Sequence, residues 1–156
     1  MKLIWLGHGS FRLETENGVL LLDPWLTGNP VLPEDSHDAA VEGANHILMT
    51  HAHFDHSADA VQLARKLGVP VVGQYDVMSW WADAEGIETI GFNKGGTVDL
   101  NGTKVSMVRA EHSSTFGSLG AASWPSADAS GSGRPKSSGN VPMSQSAVAA
   151  PWGPNA

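Results

Sequence analysis

The stretch His46-Ile47-Leu48-Met49-Thr50-His51-Ala52-His53-Phe54-Asp55-His56 decides how this chain is read. Its apolar opening, His46–Met49, reads as a strand. Three histidines and an aspartate then follow within six residues, in the pattern His-x-His-x-Asp-His. In extended chain alternate side chains project to one side, so His51 and His53 can grip one ion. A turn toward a following helix aims Asp55 and His56 at a neighbouring position. Imidazole nitrogen and carboxylate oxygen are ligands for zinc, and also for manganese or iron. The bland alternative is a histidine-rich surface loop. Against it stands the motif's place at the C-terminal end of an expected strand, where open α/β sheets put their sites.

Working outward, the flanks alternate between strand and helix patterns. Leu3–Leu6 and Ser10–Glu14 are short strand candidates separated by Gly7-His8-Gly9. Val19–Leu22 is a buried-strand run preceded by the turn dipeptide Asn17-Gly18 and ended by Asp23-Pro24. A loop is expected from there through Glu34-Asp35. Beyond the motif, Ser57 or Asp59 can cap a helix through Leu67, with Gly68 at its C-terminal stop. Val69–Gly73 reads as a strand, and Asp76–Glu85 as a helix stopped by Gly86. Val77, Trp80, Trp81 and Ala84 share one face of that helix and are expected in the core. Thr97–Leu100, Asn101-Gly102 and Thr103–Val108 spell a hairpin. Strands mixed with two helices of crossover length predict an α/β layered domain.

Composition bounds the function. The chain has 156 residues, 9 basic and 16 acidic, a formal charge of −7. That balance argues against nucleic acid and anionic membrane as partners, because both require a basic face. With no cysteine, thiolate zinc sites and a cysteine nucleophile are excluded. The opening apolar run is too short for a signal peptide and no later run approaches a membrane span, so the expected setting is the cytoplasm. No Gly-x-Ser-x-Gly, P-loop or dinucleotide fingerprint occurs. All seven histidines lie at or before His112. After it, serine, glycine, alanine and proline make up 30 of 44 residues, and only Asp128, Arg134 and Lys136 are charged. Such a stretch buries too little apolar area to offset its ordering entropy. Two segments are therefore expected: residues 1–116, and a disordered or weakly ordered tail at 117–156. The tail is either a natural flexible segment or a chain whose frame or end differs from its relatives.

Several segments together resemble the metallo-β-lactamase-fold hydrolases, in particular the small bacterial branch that includes ascorbate-6-phosphate lactonase-like proteins. They are the histidine motif, Trp5-Leu6-Gly7-His8-Gly9-Ser10-Phe11-Arg12-Leu13-Glu14, Leu22-Asp23-Pro24-Trp25-Leu26-Thr27-Gly28-Asn29-Pro30, Asn93-Lys94-Gly95-Gly96-Thr97-Val98 and Ala110-Glu111-His112-Ser113-Ser114. The resemblance covers residues 1 to about 116. It implies an αββα sandwich of which only the first αβ half is matched.

By that resemblance His51, His53 and His112 form a three-histidine metal site, and Asp55 and His56 contribute to a second. Asp55 would also orient the attacking water or accept its proton. His8 lines the pocket, supports a ligand, or is merely a turn residue. Asp23 either orients a ligand imidazole or simply ends its strand. His37 and His46 match no ligand position. Family members also supply a bridging aspartate in a Gly-Asp-Thr-like turn and a further histidine. After His112 this chain has no histidine, and its only carboxylate side chain is Asp128, in an unlike context.

The implied activity is metal-assisted hydrolysis of a small ester, lactone or phosphoester, with one or two divalent ions and zinc foremost. Two other readings stand beside it. One is a non-catalytic metal-binding fragment. The other is an interaction module, possible homo-oligomer included, that pairs through an uncovered sheet.

Overall fold

In the computed structural model, residues 1–114 are described. Strands β1 (Lys2–Gly7), β2 (Ser10–Thr15) and β3 (Gly18–Leu22) form an antiparallel meander. A 3₁₀ turn (Glu34–Ser36) and the short helix α1 (His37–Val41) lead into β4 (Ala44–Leu48). Helices α2 (Phe54–Ser57) and α3 (Ala60–Leu67) then precede β5 (Val71–Gln74). Helix α4 (Tyr75–Glu85) connects to β6 (Thr89–Phe92). The six strands form one sheet in chain order, with β3 to β6 parallel. Strands β7 (Thr97–Leu100) and β8 (Thr103–Ser106) make a separate hairpin.

The apolar runs follow from this topology. Parallel strands are covered on both faces, so β3, the end of β4 and the start of β5 carry consecutive apolar residues, Val19–Leu22, Ile47-Leu48 and Val71-Val72. Leu21, Ile47 and Val71 stand side by side in register and face the helices, against Ala60, Leu63 and Ala64 of α3 and Met78 and Trp81 of α4. The opposite face carries an unbroken row across all six strands: Trp5, Phe11, Leu22, Leu48, Val72 and Ile90. The hairpin packs there through Leu100, Val98 and Val105. This corrects the expectation of an uncovered sheet: the middle of that face is covered, and exposure is concentrated at the β1 edge, where Leu3 and Trp5 are each 60 % exposed.

Three further expectations are corrected. On α4, Trp81 is buried and Val77 packs partly buried against the core as expected, but Trp80 and Ala84 face outward and Met78, not among the four, is buried, because the helix turns its 78/81 side toward the sheet. Asp59 occupies the N-cap position of α3 without capping it. Its buried carboxylate instead accepts hydrogen bonds from Leu26 N, Thr27 N and Thr27 Oγ1 at 2.6, 2.9 and 2.8 Å. The expected loop holds from Pro24 to Pro33, and only its last two residues, Glu34 and Asp35, enter the 3₁₀ turn; α1 and, at 89–92, the edge strand β6 form where no element was expected. The tail expected at 117–156 lies outside the described residues. Among the described residues no helix is long and apolar enough to cross a membrane.

His46 is buried in the second face beside Leu20, and burial holds its imidazole below its ordinary value of 6.5 although Glu88 opposes the shift. A folded value below the unfolded one means the unfolded chain takes up a proton that the folded chain refuses. Stability is therefore full above about pH 6.5 and falls as the medium becomes more acid. In metal-free protein, His46→Leu should shift the urea midpoint upward relative to the parent at about pH 5.5 and much less at about pH 8. Equal shifts at both values would contradict this account.

Candidate metal centre

The site lies at the carboxyl ends of the parallel strands, as expected for an open α/β sheet. Beyond β3 the chain enters Asp23 with φ 45°, in the left-handed region. Beyond β4 it bends at Thr50, is extended at His53 (φ −63°, ψ 147°) and then turns into α2. Helix α2 carries Asp55 and His56 away from His53 and toward the β1–β2 turn. From the far side, the segment after β8 brings in His112, and Ser114 Oγ accepts the Ala52 N–H at 3.1 Å. That bond ties the segment directly to the histidine motif.

Three overlapping groups result. In the first, His51, His53 and His112 put one ligand atom each within 4.8 Å of the others, with ring centroids 4.6, 4.7 and 4.9 Å apart. The second is His8, Asp55 and His56, where His8 Nε2 lies 2.7 Å and His56 Nε2 3.8 Å from Asp55 Oδ2. The third is Asp23, His51 and His56. All seven residues singled out in the sequence are thus brought to one end of the sheet. His37 and His46 are not.

The hydrogen bonds decide which nitrogens are free. Buried Asp23 accepts Thr50 N–H at 2.7 Å through Oδ1, and the Thr50 hydroxyl proton at 2.5 Å through Oδ2. Having donated its one proton, Thr50 Oγ1 can only accept from His51 Nδ1, 2.9 Å away. This fixes the His51 tautomer and leaves Nε2 with a bare lone pair, 3.0 Å from His53 Nδ1. Asp23 Oδ2 also pairs with His56 Nδ1 at 2.9 Å, which frees His56 Nε2 toward Asp55. Burial, reinforced by His56 and His53, lowers the pKa of His51 to about 4, so its ring is neutral at pH 7. For Asp55, burial pushes upward, but a backbone hydrogen bond and the His56 and His8 rings outweigh it and hold the carboxyl below its usual range. The neutral His51 ring, the imidazoles gathered around it and an ionised carboxylate are a donor set suited to a divalent cation.

Packing leaves little slack. A Cβ on Gly9 would stand 2.6 Å from His56 Cε1, so the residue after His8 has to be glycine for that ring to seat. Ser10 Oγ donates to Asp23 O at 2.6 Å and accepts Trp25 N–H at 3.0 Å, and Asn29 Nδ2 donates to Trp25 O at 2.8 Å. The Asp23–Asn29 loop thereby holds Trp25 edge-on to His8, with ring centroids 5.5 Å apart. Thr50, Ser114 and Asp59 are positioning residues that motif reading did not single out. Only Thr50's place directly after β4 and before His51 offered a signal. On the other side of the histidines, a cleft of about 590 Å³ opens between sheet and hairpin, lined by His51, His112, Leu22, Val72 and Phe92 among others.

A sheet backed by helices, with histidines gathered at its strand ends, defines the metallo-β-lactamase fold. The chain belongs to the beta-lactamase superfamily domain family, whose model matches residues 2–139. It is 72 % identical over 116 residues to a UPF0173 metal-dependent hydrolase of Ruegeria pomeroyi and 66 % identical to one of Ruegeria sp., covering 74 % of this chain and 50 % of each relative. The chain thus spans about half the length of these curated relatives. Among solved structures it is similar to Igni18, a metallo hydrolase from Ignicoccus hospitalis, with a TM-score of 0.65 and 29 % identity over 72 % of this chain and 49 % of that one.

Asp23→Asn keeps the volume and removes the charge that seats His56 and, through Thr50, His51. It should weaken zinc binding roughly 10- to 100-fold with the circular-dichroism spectrum unchanged, as removal of a ligand-orienting partner does. Gly9→Ala should act in the same direction by displacing the His56 ring. Undiminished zinc affinity in both variants, read by competition with a chromophoric chelator, would separate these residues from metal binding.

Proposed function

We propose that the chain is a metal-dependent hydrolase that holds a divalent ion, zinc foremost and manganese or iron as alternatives, on His51, His53 and His112. Asp55 and His56 are the protein's contribution to a second position, beside His8. The observation that carries this reading is the convergence of three imidazoles from two distant stretches of chain, with ligand atoms within 4.8 Å. When bound, the ion lowers the pKa of a water toward neutrality and polarises the scissile carbonyl or phosphoryl oxygen.

The chain's own groups do the rest. Asp55, ionised and held by His8, accepts the proton of the attacking water at Oδ2. Asp23 orients the His56 ring, and Thr50 orients the His51 ring. In the overall reaction water adds to the acyl or phosphoryl centre, the ester bond breaks, and an acid and an alcohol leave. A cleft of about 590 Å³ suits a small molecule rather than a polymer. The acidic charge of the chain favours the same choice. Small esters, lactones and phosphoesters are the proposed substrates, and the cytoplasm the proposed setting.

The second reading is a metal-binding unit without turnover, for which the three-histidine group alone suffices. The exposed Leu3 and Trp5 on edge strand β1 would let such a unit pair with a second copy.

Metal analysis and turnover discriminate the two. Chelator-stripped chain reloaded with zinc should hold roughly one ion and hydrolyse p-nitrophenyl acetate, a simple lactone or bis-p-nitrophenyl phosphate. Chelation or His51→Ala should abolish both properties. Protein that retains no zinc, manganese or iron on reconstitution would remove the proposal. Metal uptake without turnover of any of the three would select the metal-binding unit.

A further inference from the structure

Five of the seven lysines and arginines up to His112 lie within ion-pair distance of a carboxylate: Lys2, Arg12, Arg65, Lys66 and Arg109. Lys94 and Lys104 have no carboxylate partner among the described residues. Of these two only Lys94 lines the cleft beside His51 and His112, and no aspartate or glutamate is among the residues lining it. The cleft thus carries one ammonium and no carboxylate on a chain of formal charge −7. The remaining lining is mainly apolar, including Leu48, Val105 and Val108.

Lys94 also has a firm base. It sits in the turn between β6 and β7, where Gly96 N donates to Asn93 O at 2.8 Å. Gly95 N donates to Met107 O at 2.7 Å, and Met107 N to Gly96 O at 3.1 Å. Gly95, with φ 86°, adopts the left-handed backbone this turn requires. The segment so gripped continues to His112 and to Ser114, which is bonded to the histidine motif. The lysine and the histidines are therefore anchored to one strap.

We infer that Lys94 determines specificity, and that the substrate is an ester or lactone whose apolar body fills the cleft and whose single carboxylate pairs with Lys94. This rests on the hydrolase reading and names its substrate class. A carboxylate on the substrate would supply the exposed Lys94 ammonium with the counter-charge that no described carboxylate provides. Lysine meets a carboxylate or a phosphate as a point charge, without the bidentate fork of arginine, which does not line the cleft. A lone ammonium matches one negative charge.

The test is a titration of the full chain, chelator-treated and zinc-loaded, with octanoate and its neutral isostere octanamide. Octanoate should bind both forms at least tenfold more tightly than octanamide. Lys94→Gln should lose that preference, Lys94→Glu should reverse it, and Lys94→Arg should restore most of it. The metal-free arm separates the lysine from direct ligation of octanoate to zinc. Octanoate that binds no better than octanamide, or equally to the parent and Lys94→Gln, overturns the inference, and octyl phosphate bound in preference to octanoate overturns the carboxylate assignment. Lys94-dependent binding in a zinc-loaded chain that turns over no ester would instead remove the hydrolase reading and leave the recognition role standing.

Discussion

The buried carboxylate of Asp23 is the interaction on which the rest of the site depends. It is 2 % exposed and accepts from a backbone N–H, a hydroxyl and an imidazole. A carboxylate out of water carries a desolvation penalty of several kcal/mol, offset only when charge-assisted hydrogen bonds satisfy it. Each of its partners is thereby given one orientation. Thr50 is held with its proton spent, which dictates the His51 tautomer, and His56 is held with its second nitrogen facing Asp55. Since Asp23 ends β3 and Thr50 follows β4, the pairing of two neighbouring parallel strands sets the geometry of both histidine rings.

That dependence explains how much of the site was legible. His51, His53, Asp55 and His56 are close in sequence, and the switch from extended chain to α2 follows from the pattern itself. Asp23, His8 and His112 are remote, and composition or periodicity alone gives no reason to join them to the motif. Resemblance to a family pointed to them, and the sheet register supplies the physical reason. Thr50 and Ser114 act through hydrogen bonds whose partners only the fold selects.

The fold itself was readable where one periodicity dominates. The runs at Val19–Leu22, His46–Met49 and Val69–Gly73 announce buried strands because both faces of a parallel sheet are covered. Reading failed where tertiary demands compete with local ones. Asp59 stands where a cap belongs, yet three donors from the 26–27 backbone and the Thr27 hydroxyl outbid the helix end. On α4, apolar residues occur on more than one side, so spacing alone could not decide whether Trp80 or Met78 turns inward. The histidine in β4 carries the same lesson in reverse: His46 belongs to an apolar face, while His51, five residues on, belongs to a site.

The two faces of the sheet divide the work. The helix-covered face holds the larger core, including the fully buried Trp81, Leu21 and Ile47, and fixes the strand ends that carry Asp23 and His51. The hairpin-covered face is less completely closed, and its opening is the cleft that meets His51 and His112. The geometry of the histidine cluster and the shape of the cleft are thus governed by two packing surfaces that meet at the ends of β3 and β4. Substitutions in the hairpin face can reshape the cleft while the Asp23 network remains intact, whereas loss of Asp23 releases Thr50 and His51, which form part of the cleft wall. Every bond in that network joins residues between Asp23 and His56, so the orientation of His51 and His56 is fixed by β3, β4 and α2, while His112 reaches the same site from the segment beyond the hairpin.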